Sequence, residues 1–245
     1  MKNWEQLPRS FQNEAVRPYY EQLKKRGFSL VCKRAFDLVV SFVLLVVLFP
    51  VLLVLAVAIK LDSPGPVFYR QVRITRYGKE FRIFKFRSMV TDADKKGSLV
   101  TVSGDSRITR VGRFIRKCRL DELPQLLNVL TGDMTFVGTR PEVAKYVDGY
   151  TPEMLATLLL PAGITSEASI RYKDEDELLK DAEDVDAVYM QKVLPGKMRY
   201  NLESVMHFTF FGDIATMLRT VLAVLGKDYG EIGRASCRER VLDLV

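Results

Sequence analysis

A chain of 245 residues, 48% hydrophobic and 27% charged, is long enough for one domain with an appendage and apolar enough to bury a core. Its formal charge of +7 points to an anionic partner: nucleic acid, an anionic membrane surface, or a phosphorylated small molecule. One histidine, His207, argues against Ser-His or Cys-His catalysis and against multi-histidine metal sites. Cys32, Cys118 and Cys237 form no CxxC pair, which argues against a zinc site and a disulfide framework and fits a reducing compartment. With no Walker loop and no GxGxxG element, any chemistry has to run on carboxylates, Arg and Lys, with a hard metal ion.

Met1 to Lys33 is polar, mixed in charge and without a signal-peptide pattern. Glu14 to Arg26 reads as a surface helix closing on Lys24, Lys25 and Arg26, with Gly27 as its stop. Leu38 to Ile59 is apolar except for Ser41 and Pro50, about the 20 residues that cross a bilayer. A plain transmembrane helix is the simplest reading. Two features favour a re-entrant helix-break-helix instead. Lys33 and Arg34 lie before the segment and Lys60, Arg70, Arg73, Arg76, Lys79 and Arg82 after it, so both flanks are basic. Pro50 also removes an N–H near the middle. Backbone groups freed there need partners, and Ser41 is a candidate.

Further along, Val67-Phe68-Tyr69 and Phe81 to Phe86 read as short strands around a turn at Tyr77-Gly78-Lys79, a small β-hairpin. Thr91 to Asp105 reads as a loop, and Thr109 to Leu130 as a helix interrupted near Asp121 and stopped by Gly132. Pro141 to Leu160 reads as a helix, Pro161-Ala162-Gly163 as a turn, and Asp174 to Asp186 as an acidic, solvated helix. His207 to Leu225 is apolar but holds Asp213 and Arg219, the pattern of a helix lying in a membrane interface. Ile232 to Val241, with Cys237, resembles vector read-through and carries no functional weight. The expected layout is an N-terminal extension over 1–32, a membrane segment over 33–62, a catalytic domain over 63–227 and a tail over 228–245.

The segment Arg119 to Asn128 draws the chemistry together. Pro124 fits only the first turn of a helix, so the helix should start near Asp121, with Asp121 and Glu122 at its positive end. Adjacent helical positions diverge, so one carboxylate can attack while its neighbour handles protons or metal. An ordinary Asp N-cap is the competing reading, and spacing alone leaves it open. Around the pair stand Lys85, Arg87, Arg116, Arg119, Arg140 and Arg171, enough cations for a diphosphate; a solvated basic face is the alternative. Lys85 and Arg87 share a parity and so one side of a strand.

Five blocks carry a resemblance: Lys33-Arg34-Ala35-Phe36-Asp37, Val67-Phe68-Tyr69-Arg70-Gln71, Phe84 to Met89, Leu120 to Asn128, and Gly132 to Pro141. From about Lys33 to Lys227 the chain resembles the bacterial sugar transferases, the monotopic phosphoglycosyl transferases. The resemblance implies an α+β, membrane-embedded monotopic fold with a re-entrant helix and interfacial amphipathic helices. It implies transfer of a sugar 1-phosphate from a UDP-sugar to undecaprenyl phosphate, with release of UMP, at the start of exopolysaccharide or capsule synthesis. It also implies an inner-membrane location with the catalytic domain facing the cytoplasm. Asp121 would attack the β-phosphorus, Glu122 would handle protons or place Mg²⁺ together with Asp121, and Lys85, Arg87 and Arg116 would meet the diphosphate. Membrane lipid is an implied partner, nucleic acid is not, and a homodimer is left open. Thr139 stands where the family usually has proline. Ser166-Glu167-Ala168-Ser169 replaces a usual Gly-Trp-Ala-Gln, which leaves the nucleotide role of Arg171 unsupported.

Overall fold

A computed structural model describes residues 1–91, 93, 105–172 and 184–224, and over these the chain is a mixed α+β protein arranged around one long apolar helix. The tail, most of the loop expected over Thr91 to Asp105 and most of the acidic helix expected over Asp174 to Asp186 lie outside the described residues.

Helix α1, Arg17–Lys25, opens with Pro18 in its first turn and ends on Lys24 and Lys25. It is a surface helix with one buried face: Tyr19, Tyr20 and Leu23 cluster with Leu7, Phe11, Val16, Ile74, Leu159 and Phe208, so the N-terminal segment packs onto a core. Gly27 is not its stop: the Arg26 N–H closes α1 on the Leu23 carbonyl (3.0 Å), and Gly27 begins helix α2, Gly27–Asp62.

Helix α2 runs for 36 residues without interruption, so the break expected at Pro50 is absent. One lost N–H does not end a helix when every flanking residue still closes its own bond. Ser41 is buried and donates to the Leu38 carbonyl (3.2 Å), serving its own turn rather than the groups freed by Pro50. Buried or half-buried positions recur at Lys33, Asp37, Ser41, Leu44, Leu48, Leu52, Leu55 and Ile59, one stripe at helical spacing. Pro50 lies on the opposite, exposed face with Phe42, Val46, Val47, Phe49 and Val54. Such a continuous apolar face exceeds what a water-facing surface normally carries, and it marks α2 as a membrane-associating element.

The stripe is held along its whole length. Near its start, the Lys33 ammonium donates to the Val137 carbonyl (2.7 Å) and pairs with Asp213. Arg34 donates to the carbonyls of Val129 (2.7 Å) and Leu130 (3.0 Å), and Asp37 accepts from the Thr135 hydroxyl (2.7 Å) and the Phe136 N–H (3.2 Å). In the middle, Phe36, Val40, Leu44, Leu45 and Leu48 pack on Phe81, Ile83, Leu126, Val129 and Phe136. Towards the end, Leu52, Leu55, Ala56 and Ile59 pack on Phe86, Val111, Ile115 and Leu120.

Strands β1 (Phe68–Tyr69) and β4 (Lys85–Phe86) pair antiparallel, as do β2 (Val72–Ile74) and β3 (Glu80–Arg82) around a one-turn helix at Arg76–Gly78. Helix α3 (Arg110–Lys117) is N-capped by Thr109, whose hydroxyl accepts from the Gly112 N–H. A 3₁₀ helix, Leu120–Gln125, follows, then α4 (Leu126–Thr131), closed by Gly132 at φ 88°. Strand β5 (Met134–Val137) lies parallel to β6 (Ala162–Thr165).

The turn expected at Pro161-Ala162-Gly163 is therefore strand in its last two residues. Gly163 serves close approach instead: a Cβ there would lie 2.2 Å from the Gly138 nitrogen. The single helix expected over Pro141 to Leu160 is two short pieces, α5 (Ala144–Val147) and a 3₁₀ helix at Met154–Leu159, separated around Gly149 and Pro152. Helices α6 (Glu167–Arg171), α7 (Val185–Val188), α8 (Leu194–Met206) and α9 (Phe210–Val224) complete the described chain. Helix α9 exposes Phe211, Leu218 and Val221 while Asp213 faces inward to Lys33, an amphipathic arrangement suited to an interface.

Candidate active site

The acid pair rides on the 3₁₀ helix, and the local backbone explains how it is aimed. Arg119 sits at φ 56°, left-handed for a non-glycine residue, so the chain turns sharply between α3 and Leu120. Pro124 then stands inside the short helix, where no long hydrogen-bond ladder is available to be broken. Asn128 fixes the neighbouring strand: its side chain accepts from the Phe84 N–H (2.8 Å) and donates to the Arg82 carbonyl (3.1 Å). That staple sets Lys85, at the start of β4, against the acid pair.

The two acids have different surroundings. Glu122 accepts from the Lys85 ammonium (3.0 Å) and is clasped by the Arg140 guanidinium through both its oxygens. Burial alone would raise its pKa, but Arg140 and Lys85 outweigh burial and hold it well below the usual carboxylate range. Asp121 is buried, and its Oδ1 has no hydrogen-bond partner. Burial, and then the charge of Glu122, push its pKa up, opposed by Lys85, Arg116 and Arg140. No Asp121 hydrogen bond to the backbone occurs among the described residues, so Asp121 does not act as a helix cap here.

Of the cations singled out from sequence, Lys85, Arg116 and Arg140 gather around the pair, the first and last by direct contact and Arg116 by its field on Asp121. Burial lowers the Lys85 pKa, partly restored by Glu122. Arg73, not singled out as a site residue, joins them: burial lowers its pKa, Glu142 opposes that, and Arg140 adds to it. Arg73 donates to the Gln71 side chain (3.0 and 2.6 Å) and the Pro141 carbonyl (3.2 Å), which ties β2 to the residue following Arg140. The alternating polar positions Gln71 and Arg73 were the available signal for it.

Two further arginines are committed elsewhere. Arg87 is buried and donates to the carbonyls of Ile59 (3.4 Å), Ser63 (2.6 Å) and Pro64 (2.7 Å) and to the Ser63 hydroxyl (2.9 Å). It satisfies the carbonyl end of α2, the end that a helix leaves without partners. Arg171 pairs with Glu167 one turn back (3.1 Å) and lies over the Tyr200 ring (4.7 Å), with no contact to the acid pair. Arg87→Lys is accordingly expected to lower stability by roughly 1–3 kcal/mol, because one ammonium cannot serve a fan of acceptors built for a guanidinium. A thermal melt in detergent checks it, and an unchanged melt with impaired turnover would return Arg87 to the diphosphate.

Among the described residues no group of three or more His, Cys, Asp or Glu could hold a metal ion by itself. Mg²⁺ does not need such a group, since it typically takes one or two carboxylates together with substrate phosphates. The unpartnered Asp121 Oδ1 fits that chemistry, whereas both Glu122 oxygens already face cations.

A family model described as bacterial sugar transferase matches residues 28–227. A UDP-N-acetylgalactosamine-undecaprenyl-phosphate N-acetylgalactosaminephosphotransferase of Aeromonas hydrophila is 34% identical over 196 residues, 79% of this chain and 43% of that protein. UDP-glucose:undecaprenyl-phosphate glucose-1-phosphate transferases of Escherichia coli and Caulobacter vibrioides are 35% and 36% identical, each over 80% of this chain and over 40% and 70% of their own lengths. The match thus spans less than half of the Aeromonas and Escherichia relatives. With the family model covering most of its length, the chain belongs to the bacterial sugar transferase family.

Proposed function

We propose that the protein transfers a sugar 1-phosphate from a UDP-sugar to undecaprenyl phosphate, releasing UMP, through a phosphosugar ester on Asp121. The observation that carries this reading is a buried carboxylate, Asp121, with a partnerless oxygen inside a ring of cations. In the first step an Asp121 oxygen bonds to the β-phosphorus, and the bond from that phosphorus to the bridging oxygen breaks, so UMP leaves with the electron pair. In the second, a phosphate oxygen of the lipid bonds to the same phosphorus and the Asp121 carboxylate departs. A carboxylate whose pKa is raised by burial is the more basic nucleophile of the pair.

Glu122, held ionised by Arg140 and Lys85, acts in this scheme as the anchor that fixes both cations toward the diphosphate. Its saturation makes a proton-handling role the weaker alternative. Bound Mg²⁺, held by Asp121 and, after some exchange of partners, Glu122, would neutralise charge on the diphosphate. Purified protein incubated with UDP-sugars, Mg²⁺ and undecaprenyl phosphate tests the reading: UMP release that depends on both donor and protein supports it, and none from any donor refutes it.

We also propose that α2 enters and leaves the inner membrane by its cytoplasmic face, bent rather than broken. Both ends are fastened to one body: Lys33 to Val137 and Asp213, and the Ile59 to Pro64 end to Arg87. A straight helix from Lys33 to Ile59 would be about 39 Å long, more than the ~30 Å hydrocarbon layer, and a span would draw that charged body through the bilayer. Pro50 faces away from the packed stripe, so a proline bend closes toward the stripe and returns both ends to one side. Single cysteines at the exposed positions Lys25 and Arg76 are expected to react with an impermeant maleimide from the same face. Labelling from opposite faces would establish a span.

A further inference from the structure

Beyond the acid pair, a cavity of about 160 Å³ opens between the β5–β6 edge, α6, α8 and α9. Cavities of roughly 150 Å³ accept one six-membered ring. Its charges are compensated within the protein: Glu167 faces Arg219 (3.1 Å) and Arg171 (3.1 Å), and Asp213 is taken by Lys33. No lysine lines it. A phosphate would find no free cation cluster there, which separates this cavity from the Lys85–Arg140 site.

Its hydrogen-bonding capacity, by contrast, is not spent. Asn201 lines the cavity, is 4% exposed, and its Oδ1 has no partner, while its amide nitrogen touches only the Met198 sulfur (3.8 Å). The Arg219 Nε is likewise buried without a partner. A buried acceptor and a buried donor left open are costly unless a ligand or water completes them. Thr139 adds a hydroxyl, the Thr216 hydroxyl already donates to the Gly212 carbonyl (3.1 Å) and accepts from Arg219 (3.2 Å), and Val205 and Phe208 supply an apolar wall. Thr139 is also the residue before Arg140, so one residue of the cavity wall and the residue that clasps Glu122 are consecutive in the chain.

Resting on the transferase reading above, we infer that this cavity receives the sugar ring of the donor and sets which sugar is accepted, with Asn201 reading a ring hydroxyl or amide. A neutral, hydroxyl-bearing ring, with polar edges and apolar faces, matches a lining that is mixed in polarity, charge-balanced and closed on one side by an apolar wall. A ring joined through one oxygen to the reacting phosphorus also has to lie near the phosphate-binding cations, and Thr139 of the cavity wall is joined in the chain to one of them, Arg140.

The test compares wild type with Asn201→Leu and Thr139→Val in detergent. For each, kcat/KM is measured with UDP-glucose, UDP-galactose and their N-acetylamino counterparts, and the Kd of UMP, which has no sugar, is measured beside it. Asn201→Leu is expected to lower the preference for the best donor over the next by roughly tenfold while leaving UMP binding unchanged. Thr139→Val, nearly isosteric, is expected to move the preference in the same direction and stands in if Asn201→Leu does not fold. An equal loss of UMP affinity would mean that the cavity holds the nucleotide base and would overturn the inference. So would an unaltered preference in variants of an active wild type, with the transferase reading left intact. A wild type that turns over none of the donors overturns both.

Discussion

Asp121→Asn is expected to fold and to lose turnover by about 10⁴-fold or more, the scale on which removal of a covalent nucleophile is felt. Asparagine preserves the shape of the side chain and its capacity to cap a helix. In this protein the Asp121 carboxylate caps nothing, and its Oδ1 is buried without a hydrogen bond. Burial and the neighbouring Glu122 already disfavour its charge, so neutralising it removes a strain rather than a contact. The melting temperature is therefore expected to stay level or rise while UMP release disappears. An active Asp121→Asn would remove the nucleophile role, and an unfolded one would contradict the expectation that the carboxylate contributes nothing to the fold.

The second large effect concerns the attachment of α2. Lys33→Met leaves Asp213 buried without its cation, and it takes the donor from the Val137 carbonyl. Side chains of Lys33 and Asp213 are only 8% and 17% exposed, so the loss is expected to be roughly 3 kcal/mol or more. Replacing both partners, Lys33→Met with Asp213→Leu, should restore much of it, because an apolar pair carries no unpaired charge. Burial already pushes the Asp213 carboxyl up, and Lys33 opposes this; without the lysine the folded pKa rises further above its unfolded value. A raised folded pKa favours the folded state below the unfolded pKa and loses that advantage as pH rises through the folded one. The deficit of the single variant should thus be smaller at about pH 5 than near neutrality. Thermal melts of the three proteins in detergent at both pH values measure this, and a single variant that melts like wild type would show that the clamp carries no stability.

The parts of the molecule that were legible in the sequence are those whose signal is local. Gly132 stops a helix because it alone reaches φ 88° cheaply, and the acid pair before Pro124 marks a helix start. Leu38 to Ile59 announces itself by length and apolarity. The misread parts depend on distant partners. Pro161-Ala162-Gly163 carries a turn composition, yet Gly163 is needed because the Gly138 backbone passes against it, a contact between residues 25 apart in sequence. Arg87 shares a parity with Lys85, and the hydrogen bonds it makes to the end of α2 are contacts that no spacing rule reveals. Lys33 and Asp37 did leave a trace: charged residues in register with a buried stripe require buried partners, which turn out to be Asp213 and the β5 residues Thr135 and Phe136.

The central claim, covalent transfer through Asp121, is tested most directly by rapid mixing of the enzyme with its UDP-sugar in the absence of lipid. The account predicts a burst of UMP approaching one equivalent per enzyme, together with a mass increment of one sugar phosphate on the peptide that contains Asp121. Undecaprenyl phosphate added afterwards should remove that increment. UMP release that always requires the lipid, with no adduct at any time, would contradict it even if the overall transfer were observed.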